Sequence, residues 1–175
     1  MGRLLCSLLL LLLPLQAQPV HDMTVGNWQT LSKSTSENHT HVIERSSLWL
    51  KKDHTCELSF LVNLKKGEHF IKDLEVKATG IWKRYNTTLV VVIQKYENPF
   101  AKEVSGTITQ RSLAALANTY QARLKGSPIR IYTITFLDHH KLTLIDEQGQ
   151  ETTYTKYIAP QKPPQPLPKK NDKAQ

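Results

Sequence analysis

Val25-Gly26-Asn27-Trp28-Gln29-Thr30 is the stretch that decides how the rest of the chain is read. Gly26 lacks a Cβ, so the backbone there can turn or approach another element closely. Trp28 is large enough to plug one end of a small β-barrel, where inward side chains must fill the space. The same residues also suit a turn glycine ahead of an ordinary core tryptophan. The sequence on either side separates the two readings.

Downstream, strand patterning dominates. Trp28–Ser32 starts a first strand, and Ser34–His39 is a polar loop. His41–Leu50 alternates unevenly, and Lys51-Lys52-Asp53-His54 turns the chain. Cys56, Leu58, Phe60, Val62 and Leu64 then fall at every second position, which gives a strand one apolar face. After a turn at Lys65–Glu68, Phe70–Lys83 places Leu74, Val76, Ala78, Gly80 and Trp82 on one side. Gly80 marks a bulge or bend of the kind barrels require. Leu89–Ile93 is β-branched and suits a buried strand ended by Asn98-Pro99, and Val104–Thr109 adds a short one.

One segment changes period. Leu113, Leu116, Ala117, Tyr120 and Leu124 recur at helical spacing, so Gln110–Lys125 is an amphipathic helix, stopped by Gly126 and Pro128. Its apolar stripe is read as packing against the sheet or barrel. Strands resume at Ile129–Leu137. Lys141–Asp146 and Glu151–Ile158 then form a hairpin about Glu147-Gln148-Gly149-Gln150.

The ends read differently. Met1–Ala17 holds one charge, Arg3, then the apolar run Leu4–Leu13, Pro14 and a small Ala17, the order of a signal peptide. The expected divisions are therefore residues 1–17 as leader, 18–158 as the barrel domain and 159–175 as a disordered tail rich in proline and lysine. The apolar run is shorter than the roughly 20 residues a membrane span needs, so no transmembrane segment is expected. The net charge of +8 falls by one without the leader, and part of the rest lies in the tail. Basic residues are otherwise dispersed, which speaks for solubility and against nucleic-acid binding. Asn38-His39-Thr40 and Asn86-Thr87-Thr88 are acceptor sequences for N-glycosylation, so Asn38 and Asn86 are expected at the surface.

Gly26-x-Trp28 after a leader, about eight antiparallel strands, and a closing hairpin with a Gly turn and a Tyr-rich strand together resemble the lipocalin and calycin superfamily. The resemblance covers Val25–Ile158. It implies a mainly β fold: a lipocalin-like antiparallel barrel of about eight strands with one amphipathic helix. It also implies a secreted protein with an apolar cup for a small hydrophobic ligand. The chain diverges from the family pattern. It has no Thr-Asp-Tyr motif mid-chain, the usual disulfide is impossible, and the helix precedes the last strands. Of the family positions only Trp28 carries over, and its role is structural.

Once Cys6 leaves with the leader, Cys56 is alone. It is then a buried small hydrophobe, a link to another chain giving a dimer, or, with His54 two residues away, a reactive thiol. No phosphate-cradling glycine loop, carboxylate dyad or converging set of metal ligands stands out, so no catalytic residue, metal or cofactor is assigned. Strand faces place Phe60, Val62, Val76, Val91 and Tyr132 toward a cavity, as ligand-binding residues. Two function classes remain. One is a carrier of a small hydrophobic ligand. The other is a secreted interaction or defence protein that uses the basic tail and helix on acidic surfaces and carries no cargo. A filled barrel is the third outcome.

Overall fold

The computed structural model describes residues 22–158; the expected leader, the Pro/Lys-rich tail and residues 18–21 lie outside them. Nine strands and one helix follow in order: β1 (Gly26–Thr35), β2 (His41–Leu50), β3 (Thr55–Lys66), β4 (His69–Tyr85), β5 (Thr88–Tyr96), β6 (Phe100–Val104), α1 (Gln110–Lys125), β7 (Ile129–Leu137), β8 (Lys141–Ile145) and β9 (Glu151–Lys156). All neighbouring strands pair antiparallel. β1 through β5 and then β7 through β9 run as a meander, and β9 returns to β1, so eight strands close a barrel. β6 is the ninth strand and lies outside that ring.

β4 explains the extra strand. It is 17 residues long, and its two halves have different neighbours. Ala78–Tyr85 pairs with β5, whereas Ile71–Glu75 pairs with β6. The register shifts between Thr79 and Gly80, where the strand bends. A Cβ on Gly80 would lie 2.0 Å from the Val92 carbonyl oxygen, so only glycine lets β5 approach here. The expected strand at Val104–Thr109 is displaced upstream. Ser105 begins a loop, and Thr109 is already the N-cap of α1, its hydroxyl accepting from the Ser112 amide at 3.2 Å. Phe100–Val104 takes the ladder instead because the first half of β4 needs a partner. The helix bounds agree with the expectation, and Arg123 and Lys125 in its last turn complement the helix dipole.

The floor of the barrel is sealed by the N-terminal approach to β1. Trp28 is fully buried, and its Nε1–H donates to the Thr24 carbonyl at 2.7 Å. Trp28 pairs with Lys156 of the last strand, whose Nζ lies 4.9 Å from the ring centroid. Gly26 makes room for that lysine, since a Cβ there would fall 2.3 Å from Lys156 Cε. Arg84 donates to Asp22 and to the Thr24 hydroxyl at 3.1 and 2.9 Å, tying the incoming chain to the end of β4. Above this floor Leu50, Cys56, Val62, Leu74, Val76, Leu89, Val91, Leu142 and Leu144 are buried in one continuous core.

The wall is not uniform. β1 and β9 pair only at Trp28–Lys156 and Gln29–Thr155, so beyond Gln29 the registered partner of β1 is β2 alone. β8 meets β7 only from Thr133 onward, which leaves Ile129–Tyr132 paired to β5 alone. Both seams flanking the β8–β9 hairpin therefore end short of the mouth.

Replacing Gly80 with alanine is expected to destabilise the fold by about 2–4 kcal/mol, because backbone rather than a mobile side chain must yield. A lowered urea midpoint with unchanged slope would show it; a midpoint equal to wild type would mean the bend accommodates a methyl group.

Candidate functional site

The mouth, opposite the Trp28 floor, is where polar chemistry enters the barrel. Helix α1 lies across it and buries Ala117, Tyr120 and Leu124. The Tyr120 ring packs on Phe60 of β3, with centroids 5.6 Å apart. Inward-facing Glu44 of β2 receives Arg123 from the helix at 2.8 Å, and Ser46 donates to its other oxygen at 3.0 Å. The Arg123 guanidinium also lies over the Phe60 ring, 4.4 Å from its centroid. Burial acts to raise the Glu44 carboxyl, but hydrogen bonds from Arg123, Ser46 and Tyr120, with the charge of Arg123, outweigh it and hold the group below its ordinary range.

Arg130, at the start of β7, grips the end of the helix. Its Nη2 donates to the Arg123 carbonyl at 2.7 Å and its Nε to the Ser127 carbonyl at 3.2 Å. Tyr132 follows on the same face of β7, and Tyr154 approaches from β9. Burial pushes the Tyr154 phenol well above its usual range, so it stays protonated. Two spaces meet at these residues. An outer hollow of about 110 Å³ opens between β7 and the β8–β9 turn, lined by Arg123, Arg130, Tyr132, Asp146 and Gln148 among others. An inner gap of about 40 Å³ lies among Ser46, Leu48, Phe60, Leu124, Tyr132 and Tyr154. Arg130 and Tyr132 border both.

No family model matches the chain, and no curated protein matches it. Among solved structures, an uncharacterized protein from Bacteroides eggerthii is similar over 76% of this chain and 98% of its own, at 12% identity and a TM-score of 0.40.

Of the residues assigned to the cavity, Val62, Val76 and Val91 are fully buried in the core and Phe60 nearly so, while Tyr132 is half-buried at the mouth. Only Phe60 and Tyr132 border the inner gap. Glu44, Arg123 and Arg130 were missed. Glu44 is the detectable one: it stands two residues from Val42 and Ser46 on the inward face of β2, where an acid needs a partner. Nothing local in the sequence points to Arg123 or Arg130.

Cys56 is 1% exposed and faces Gly80 across the β3–β4 ladder. The proposed inter-chain link finds no support, because the sulfur lies inside the barrel. Burial pushes its thiol up to about 11. His54 does not extend the strand toward it; it adopts a positive φ of 63° in the preceding turn and packs its ring 5.2 Å from that of Trp82. Asn38 and Asn86 are both exposed in turns. Asn38 Oδ1 accepts from the Thr40 hydroxyl at 2.8 Å. Among the described residues no group of three or more His, Cys, Asp or Glu side chains converges as a metal site, and no helix is long and apolar enough to cross a membrane.

Cys56 is expected to resist iodoacetamide at pH 8 in the native protein and to react fully in denaturant; rapid native labelling would show that the barrel opens readily. The Glu44–Arg123 contact stabilises the fold above the ordinary carboxylate pKa, near 4.3, and is lost as pH falls through the depressed folded value. Glu44→Gln should therefore destabilise the fold at pH 7 by about 1 kcal/mol given the half-exposed arginine, read as a lowered melting temperature, and should flatten the decline of that temperature below pH 5. Asp22, also held low, keeps part of the acid dependence. Identical melting curves for variant and wild type across that range would remove Glu44 as the tie.

Proposed function

We propose that this protein is a secreted, lipocalin-like binding protein that holds a small hydrophobic ligand at the helix-capped end of its barrel. The supporting observation is the contrast between the two ends. The floor is shut by a buried indole and the incoming chain, whereas the mouth is closed by one helix beside a break in the wall. A closed barrel with one such end is compatible with ligand binding.

The inner gap of about 40 Å³ is far below the roughly 300–1,000 Å³ typical of small-molecule sites. Binding therefore requires Leu124 and Tyr120 to yield, with α1 moving as the ligand enters. The affinity measured is then the intrinsic affinity reduced by the fraction of molecules with the helix displaced.

A second reading has an observation of its own. On the outer wall, Ile81, Val92 and Ile129 form one cross-strand row and Lys83, Val90 and Ile131 the next. An apolar groove of about 420 Å³ runs beside Ile81, Val90 and Val92. With a filled interior, this face suits a protein that works through surface contacts and carries no cargo.

Native mass spectrometry and calorimetric titration with fatty acids, retinoids and steroids test the first reading. Leu124→Ala enlarges the inner gap and is expected to tighten binding of at least one ligand while costing about 2–5 kcal/mol of stability. If neither wild type nor variant binds any of them saturably, the carrier reading falls and the surface reading stands.

A further inference from the structure

The outer wall handles its cations in two ways. On β4, Lys77 stands 3.6 Å from Glu57 and 3.3 Å from Glu75, so its charge is neutralised in place. The outward face of β1, β2 and β3 toward the mouth is built otherwise. Phe60 and Val62 point into the core, so Leu61 and Asn63 between and beyond them face out. The registered rows on this face are Leu31–Arg45–Leu61, then Lys33–Ile43–Asn63, then Thr35–His41–Lys65 at the rim. Among the described residues no carboxylate oxygen comes within 4.0 Å of Lys33, Arg45 or Lys65. Leu31 and Ile43 sit among these cations and are 53% and 40% exposed.

The same face is grooved. The β3–β4 ladder slips between Val62 and Leu64. Asp73 adopts a φ of 50° opposite the slip, and its amide donates to Asn63 Oδ1 at 3.0 Å. Beside this bulge lies an open groove of about 430 Å³. Ile43, Leu64, Phe70 and Ile71 supply its apolar lining, and Lys65 and Lys72 its charge. Among the described residues no acid lines it. The nearest acids are placed around it: Glu103 meets Lys72 at 3.7 Å, with both side chains half-exposed, and Glu37 and Glu68 stand in the flanking turns. A wall built only for solubility has no need of large apolar side chains between its unpaired cations.

We infer that this face docks on an anionic lipid surface, with Lys33, Arg45 and Lys65 among the head groups and Leu31 and Ile43 entering the acyl boundary. Long basic side chains reach the head groups along their own hydrocarbon stems while apolar neighbours go deeper. Cations without fixed partners suit a bilayer, whose anionic head groups move laterally to meet them. A folded acidic protein needs its acceptors at set positions instead. Docking of this kind requires no ligand in the barrel, and it brings the mouth to the membrane.

The test sediments the full chain with phosphatidylcholine vesicles, with and without phosphatidylglycerol, over a range of salt. Anionic vesicles are expected to bind it roughly tenfold or more tightly than neutral ones, and less tightly as salt rises. Lys33→Gln combined with Lys65→Gln should weaken anionic binding roughly ten- to thirtyfold, at about fivefold per cation. Ile43→Ser should weaken it by about a few-fold, through lost apolar contact. These positions are exposed, so the variants are expected to fold, judged by their melting curves; Arg45→Gln replaces either one that does not. Equal binding to neutral and anionic vesicles overturns the docking surface. So does anionic binding that the lysine variant leaves unchanged, which would assign the attraction to the lysines of residues 159–175. An Ile43→Ser variant as tight as wild type overturns the entry of apolar side chains. Binding to polyglutamate with none to vesicles overturns the membrane in favour of an acidic protein.

Discussion

Closure of β1 on β9 is the constraint on which the other contacts depend. It joins segments far apart in sequence; the Thr155 hydroxyl donates to the Gln29 carbonyl across 126 residues of chain. Only two registered pairs make this seam, with one further bond from the Tyr157 amide to the Asn27 carbonyl. So short a ladder cannot hold a barrel shut by its own hydrogen bonds, each worth about 1 kcal/mol net. Trp28 supplies the rest. Its indole fills the floor, satisfies its own N–H on Thr24, and carries the Lys156 side chain over its face. Packing, hydrogen bonding and strand closure meet in one residue, and the loop-closure cost of the whole meander is offset there.

The two ends are sealed by different physics. At the floor, water is excluded by an aromatic ring and by Thr24, which is itself fully buried. At the mouth, the helix is held by an ion pair whose arginine is half-exposed, by one aromatic contact, and by carbonyl bonds from Arg130. Screening weakens such a pair, whereas the burial of a tryptophan is not screened and is strengthened by salts such as sulfate. The mouth is therefore the end that yields first.

Local chemistry accounts for how far the sequence could be read. The alternation Cys56–Leu64, the helical spacing Leu113–Leu124 and the Gly149 turn each depend on near neighbours, and each element appears where its pattern puts it. Gly80 was legible as a bend for the same reason, although the clash with Val92 that demands glycine comes from another strand. The strand after Asn98 was misplaced because β6 exists to serve one half of β4, a tertiary need with no signature of its own. The candidate site was legible only in part. Strand faces identify inward residues, and Phe60 and Tyr132 do reach the inner gap, but Val62, Val76 and Val91 are spent on the core. Which inward residues border open space depends on where α1 lands, and that is set by contacts between distant segments, such as Glu44 with Arg123 across 79 residues.

A filled interior and the proposed binding role are reconciled by asking what fills it. The lower half holds Leu, Val and Trp side chains contributed by several strands, so no small displacement empties it. The upper half is filled partly by Tyr120 and Leu124 of a single helix, which leave together if that helix shifts. A ligand entering the inner gap would meet the Phe60 ring on which Tyr120 packs, so ligand and helix would compete for that ring. The free energy of that exchange is a difference between two similar burials, and is therefore small. The same economy explains why a cavity need not be preformed: emptying it would expose about 25 cal/mol of apolar cost per Å², and the helix spares the unliganded barrel that exposure.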